Sequence, residues 1–143
     1  MKLLIQRVNR ASVTIDNTIA SQIGKGLLVF IGIKQSDSTS ECDYLIKKLL
    51  NLRIFPEGIR LMERNVVDCN YEILVVSQFT LYADCKKGNR PSFIQAMPPR
   101  EAETVYDEFI ARLKSQYSLV QTGMFGADMQ VELINDGPVT IEL

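Results

Sequence analysis

The sequence predicts an α/β (mixed α+β) fold: a three-layer β/β/α sandwich of mostly antiparallel or mixed sheet, with two main helices on one side. Three observations carry that expectation. Strand-patterned and helix-patterned segments follow in the order strands, helix, strands, helix, strands, which favours helices gathered on one face of a sheet. Apolar residues alternate or run continuously in the former and recur at three-to-four-residue spacing in the latter. No internal repeat, low-complexity tract or linker interrupts the 143 residues, so 1–143 reads as one domain.

Residues 1–8 (MKLLIQRV) alternate as a strand, 12–23 (SVTIDNTIASQI) read as a hairpin turning at Asp16-Asn17, and 25–33 (KGLLVFIGI) form an apolar run suited to a central strand. Ser38-Thr39-Ser40-Glu41 offers a capping box, and Cys42, Leu45, Ile46, Leu49 and Leu50 follow at helical spacing. FPEG signals a turn, after which YEILVVSQFTL reads as a buried strand delivering SQFT at its end. The second helix opens at Pro98-Pro99, since proline is tolerated in a first turn, and it places Ala102, Val105, Tyr106, Phe109, Ile110 and Leu113 on one stripe. LVQTGMFG, ADMQVELIND and PVTIEL complete the set as strands, with Met129, Val131, Leu133 and Asn135 sharing a face.

Composition narrows the function. A 46% hydrophobic and 23% charged chain of net charge −1 has no global attraction for polyanions, so a nucleic acid must be held locally. Residues 1–10 carry charges inside their apolar run, without a signal-peptide pattern, and no stretch has the length of a membrane span, so a cytoplasmic location is expected. Three widely spaced cysteines, Cys42, Cys69 and Cys85, make neither a disulfide framework nor a CxxC metal pair. The chain has no histidine, which removes the commonest general base, the commonest zinc ligand and every Ser-His or Cys-His scheme. Neither metal nor cofactor is expected. Proton transfer must run through carboxylates, water, backbone groups or the substrate.

Four blocks hold the candidate chemistry, and each has a plainer reading beside the functional one. SQFTLYAD places Ser77, Gln78 and Thr80 at a sheet end, where they either present hydroxyl and N–H groups to a ligand or begin a loop. KKGNRPSF groups Lys86, Lys87 and Arg90 around Gly88, as a phosphate-binding loop or as solvated surface, and its Phe93 suits a base stack or the core. The glycines of GMFGADM admit close backbone approach or merely bend a strand. NDGPVT is a stiffened turn, or a rigid tool that enters a site. Arg7 continues the Leu3, Ile5 face of the first strand, where a core residue was due; it either snorkels to water or anchors something.

Taken together and in order, SQFTLYAD, KGNRPSF, GMFGADM and NDGPVT, with MKLLIQRV at the start, resemble the D-aminoacyl-tRNA deacylase family, the D-Tyr-tRNA(Tyr) deacylases, over essentially the whole chain. The resemblance implies a homodimer that hydrolyses the ester between a D-amino acid and the 3′ end of tRNA. It implies that Gly137-Pro138, in the cis form, reaches into the partner's pocket and that Arg7 fixes this pair. It makes Ser77, Gln78, Phe79 and Thr80 the pocket floor, and Phe125, Gly126, Ala127 and Met129 walls near the adenine. Lys86, Lys87 and Arg90 are our own candidates for acceptor-stem phosphates. Two chemistries are open for such a site: Thr80 as nucleophile, or backbone N–H donors around Phe79 and Thr80 as an oxyanion hole assisted by the RNA 2′-hydroxyl. The second is favoured, because a threonine hydroxyl without an adjacent base is a poor nucleophile. The reading from a different class is a noncatalytic, dimeric RNA-binding module on the same fold.

Overall fold

Strand β1 (Lys2–Ile15) is the spine to which most of the sheet is attached. The computed structural model describes all of residues 1–143. A tight turn at Asp16 and Asn17, both at positive φ (48° and 61°), reverses β1 into β2 (Thr18–Ile23); Asn and Asp tolerate that backbone region better than other side chains. β3 (Gly26–Gly32) then continues along the same edge of β1, with Ala11 opposite Ile23 and Val8 opposite Gly26. Helix α1 (Ser40–Asn51), the hairpin β4 (Phe55–Glu57) and β5 (Arg60–Arg64), and β6 (Glu72–Ser77) follow. A 3-10 turn (Phe79–Tyr82), α2 (Pro99–Gln116), β7 (Val120–Thr122) and β8 (Gln130–Glu142) complete the order.

The main sheet runs β2-β1-β3-β6-β7, and β8 pairs with the other edge of β1. Pairs along β1 are antiparallel, whereas β3–β6 and β6–β7 are parallel, so the sheet is mixed. Gly26 lets the parallel pair close: a Cβ there would sit 1.8 Å from the Glu72 carbonyl oxygen. The expected strand-rich body with two main helices is present. The helices cover one face of the sheet, where Leu3, Ile5, Val29, Ile46, Leu49, Phe109 and Leu113 are buried in one core. Truncating a side chain as enclosed as Phe109 costs about 3–5 kcal/mol. On the other face Val8, Val13, Leu28 and Leu74 form a second core with Ile23 of β2, and Val131 and Leu133 of β8 pack against it. This is the second β layer.

Four local expectations are adjusted. The capping box is only half formed: α1 begins at Ser40 with no side-chain cap from Thr39, while the Glu41 carboxylate reaches back to the Ser38 N–H at 2.9 Å. The FPEG turn belongs to the additional β4–β5 hairpin. LVQTGMFG supplies a strand only at Val120–Thr122. The last two expected strands are one, β8, interrupted by a bulge: Gln6 pairs with Thr140 and Val8 with Asn135, so the residues between them bow out opposite Arg7.

Candidate active site

β6 carries the SQFT block to the sheet's carboxyl end and stops there. Ser77 is its last residue, and the Gln78 N–H donates to the Ile31 carbonyl at 2.8 Å before the chain tightens into the 3-10 turn. As the first residues of that turn, Phe79 and Thr80 have no partner within it for their N–H groups. Gln78 Nε2 donates to Thr80 Oγ1 at 2.5 Å. The Thr80 hydroxyl therefore accepts from an amide, and no base stands beside it to take its proton.

Next to this turn lies a cavity of about 620 Å3, within the range that encloses a small ligand. Ile31 and Ile33 of β3 line it, together with three stretches far apart in sequence: 76–79, 96–99 with Ala102 at the start of α2, and 125–129. The expected pocket floor and the expected adenine walls thus meet in one space, except that Thr80 stands outside the lining. Phe125 is seated against Tyr106, ring centroids 5.5 Å apart, and the Tyr106 hydroxyl donates to the Val75 carbonyl at 3.3 Å. Burial raises the Tyr106 phenol well above its ordinary pKa, so it stays a neutral donor. Gly126, at φ 72°, makes the turn that lets the following residues line the wall. Met129 lies under Gly123, where a Cβ would come within 2.7 Å of its sulfur. Phe79 stands 57% exposed at the mouth, edge-on to Phe93 at 5.0 Å.

The remaining expected residues lie elsewhere on the chain. Gly137 and Pro138 are exposed, joined by a cis peptide bond, and do not line the cavity of their own chain. Arg7 is buried beneath them. Its Nη1 donates to the Ile54 carbonyl at 2.5 Å, and its Nε lies 3.0 Å from Asp136 Oδ2. The latter contact is an ion pair out of line for a hydrogen bond, since the Nε hydrogen meets no acceptor. The basic loop projects beyond the mouth from a bridge between Asp84 and Ser92, turning at Gly88 with φ 72°. Lys86, Lys87 and Arg90 are all exposed. Lys86 lines a smaller recess of about 210 Å3 beside Lys2 and Tyr82, and burial pushes the Tyr82 phenol up to about 12. Cys42 and Cys69 line neither space, and burial pushes both thiols up.

Sequence reasoning missed the α2 contribution, because Pro98-Pro99 reads as a helix start and nothing local says what that start faces. It also passed over Asp128 inside a block it had quoted.

A family model described as D-Tyr-tRNA(Tyr) deacylase matches residues 4–143. The chain belongs to the D-Tyr-tRNA(Tyr) deacylase family. It is 54% identical over 142 residues to the D-aminoacyl-tRNA deacylase of Flavobacterium psychrophilum, covering 99% of this chain and 95% of the relative. It is 53% identical over 141 residues to that of Finegoldia magna, with 99% and 95% covered. Among solved structures, one described as the c-Myc DNA unwinding element binding protein superposes with a TM-score of 0.95 at 46% identity, covering 100% of this chain and 97% of the other. A probable eukaryotic D-amino acid tRNA deacylase superposes with a TM-score of 0.88 at 17% identity, covering 99% and 97%, a likeness of fold. In this deacylase-family chain the SQF and FGADM blocks meet around one largely apolar cavity with a small polar end at Ser77 and Gln78. No group of three or more His, Cys, Asp or Glu side chains is placed to hold a metal, and no helix is long and apolar enough to cross a membrane.

Proposed function

We propose that this member of the deacylase family hydrolyses the ester of D-aminoacyl-tRNA, releasing the D-amino acid and tRNA, by electrostatic stabilisation and substrate assistance. The observation that carries the reading is the meeting of the SQF and FGADM blocks around one cavity, with unengaged N–H groups at the head of the 3-10 turn. Those donors stabilise the oxyanion that forms when the ester carbonyl is attacked, an effect of a few kcal/mol per well-placed donor. The vicinal 2′-hydroxyl of the terminal ribose is already beside the ester and assists by proximity. Thr80, whose oxygen accepts from Gln78, orients the turn and does not attack.

Chiral selection is assigned to Gly137-Pro138. Because this pair is exposed and lies outside its own cavity, it is free to enter the pocket of a second copy, making the working unit a homodimer in the cytoplasm. Backbone carbonyls there exclude an L side chain by clash and desolvation. Glycine presents nothing to exclude, so Gly-tRNA is cleaved as well, a missing side-chain carbon being rejected by only ~1–3 kcal/mol. Phe125, Gly126, Ala127 and Met129 receive the adenosine, and Lys86, Lys87 and Arg90 follow the acceptor-stem phosphates.

Ester loss from D-Tyr-tRNA, L-Tyr-tRNA and Gly-tRNA tests the activity: hydrolysis of the first and third with sparing of the second is expected. Loss of none above buffer controls favours a noncatalytic RNA-binding module instead. Mixing a Gly137→Val protein with a Phe125→Arg protein, each impaired alone, tests the cross-subunit arrangement. Recovery of activity in the mixture is expected, and its absence after subunit exchange places selection within one chain.

A further inference from the structure

The turn that carries Gly137-Pro138 leaves the β1–β8 ladder at Asn135 and rejoins it at Thr140. The register passes from Gln6 opposite Thr140 to Val8 opposite Asn135, with nothing opposite Arg7. The residues from Asp136 to Val139 therefore stand off the sheet without the pairing that fixes the rest of the strand. Such a bulge keeps one shape only if its backbone groups find other partners. One hold is the Arg7 guanidinium, which lies against Gly137 and 3.0 Å from Asp136 Oδ2. The other is the side chain of Asn135. One end of its amide faces two carbonyl oxygens, that of Arg7 at 2.8 Å and that of Val139 at 3.3 Å, so this end is the NH2. The amide oxygen then faces the Thr140 hydroxyl, a donor, at 3.3 Å. One side chain thus ties the far lip of the bulge, Val139, to its near lip and to the strand opposite. Aspartate has the same shape and cannot do this, because its oxygens would meet both carbonyls, acceptor against acceptor.

We propose that Asn135 is the positioning residue that sets the place of the Gly137-Pro138 turn, so that rejection of L-aminoacyl esters depends on its amide. The proposal rests on the selection reading above and adds to it a residue that touches no substrate. Asn135 is half-buried and does not line the cavity of its own chain, so it acts through the turn. A wall that excludes by clash must be held still: a misplacement of about 1 Å costs on the order of a hundredfold where function depends on position. The sheet itself does not depend on this tie, because β1 and β8 pair on both sides of the bulge.

The test follows hydrolysis of D-Tyr-tRNA, L-Tyr-tRNA and Gly-tRNA by the wild type, Asn135→Asp, Asn135→Ala and Ile46→Val, the last a main-core variant on α1. Both Asn135 variants are expected to cleave L-Tyr-tRNA, lowering the D-to-L ratio of kcat/KM by about tenfold to a hundredfold, with aspartate the worse of the two. Gly-tRNA, which offers the wall no side chain, is expected to be affected least. Ile46→Val is expected to keep the wild-type ratio, since a weakened core lowers all rates together and creates no activity on L-Tyr-tRNA. A second measurement needs no variant to fold: in the wild type, the Asn135 carboxamide protons are expected to exchange with solvent more slowly than those of the exposed Asn17. An unchanged D-to-L ratio in both Asn135 variants overturns the proposal, as does a parallel fall on all three substrates. So does an Asn135 carboxamide that exchanges as freely as that of Asn17. By contrast, a Gly137→Val protein that still rejects L-Tyr-tRNA removes the selection reading beneath the proposal, and a wild type inert on D-Tyr-tRNA removes the deacylase reading.

Discussion

Arg7 lies directly against Gly137: a Cβ on that glycine would come 2.9 Å from Arg7 Nη2 and 2.9 Å from Val139 Cγ2. The guanidinium has little room to give way, being buried and tied to the Ile54 carbonyl. Gly137 also sits at φ 117°, a region that side chains resist. Gly137→Ala is therefore expected to cost about 1–3 kcal/mol of stability and to lower kcat/KM on D-Tyr-tRNA at least about tenfold, through displacement of the Gly-Pro turn. Thermal melting and single-turnover hydrolysis check the two halves. A variant with unchanged activity and undiminished rejection of L-Tyr-tRNA counts against selection by this turn.

Thr80→Ala separates the two chemistries. The hydroxyl accepts from Gln78 Nε2 and has no base beside it, so the alanine variant should keep kcat within about tenfold of wild type, the loss of one orienting hydrogen bond. If Thr80 is the nucleophile, removing it should cost several orders of magnitude, as removing a catalytic serine does. Single-turnover rates at saturating enzyme distinguish these outcomes.

Charge reversal in the basic loop probes the nucleic-acid footprint. Lys86→Glu, Lys87→Glu and Arg90→Glu alter exposed residues that hold no ion pair of their own, so the fold should be unaffected. Each phosphate contact removed should lower the slope of log K against log salt by about 0.7–0.9 and weaken binding whichever amino acid is attached. A slope that stays put would remove this loop from the footprint.

Acid stability should report on Glu41. Hydrogen bonds from the Ser38 backbone N–H, the Ser38 hydroxyl and the Ser40 hydroxyl lower this carboxyl from 4.5 to about 2. The folded value lies below the unfolded one, so between them the unfolded chain binds more protons and stability rises with pH. The contribution is complete above pH 4.5 and is lost as pH falls towards 2. Glu41→Gln should melt lower than wild type at neutral pH, with the gap closing on acidification. A gap independent of pH would mean that packing, not this charge, sets the difference.

The parts of the molecule legible in the sequence are those decided locally. Asp16-Asn17 announces its turn because few other pairs accept two positive φ values in a row, and Pro98-Pro99 announces a helix start because proline has no N–H to lose there. The β4–β5 hairpin escaped notice because Arg60, Leu61 and Met62 are all exposed, leaving no apolar alternation to read. β8 looked like two strands because Gly137-Pro138 is a local stop signal. Only pairing with β1 on both sides of the bulge, through residues more than a hundred positions away, makes it one. The cavity was half legible for the same reason: SQFT and GADM are visible as blocks, but that the head of α2 closes the space between them is a property of the packed body.

The partnership of β1 with β8 also sets an order of events in the making of the molecule. β1 leaves the ribosome more than a hundred residues before β8, which supplies the Gly-Pro turn and begins beside the cavity wall. Until it arrives, one edge of β1 is an open template for pairing with other chains, and Arg7 has neither Asp136 to neutralise it nor a glycine to lie against. Closing such a long loop is slow relative to forming the local hairpin between β1 and β2. A nascent chain therefore completes its fold and its candidate discriminating element in the same late step, and an unfinished copy holds no assembled site with which to meet a tRNA.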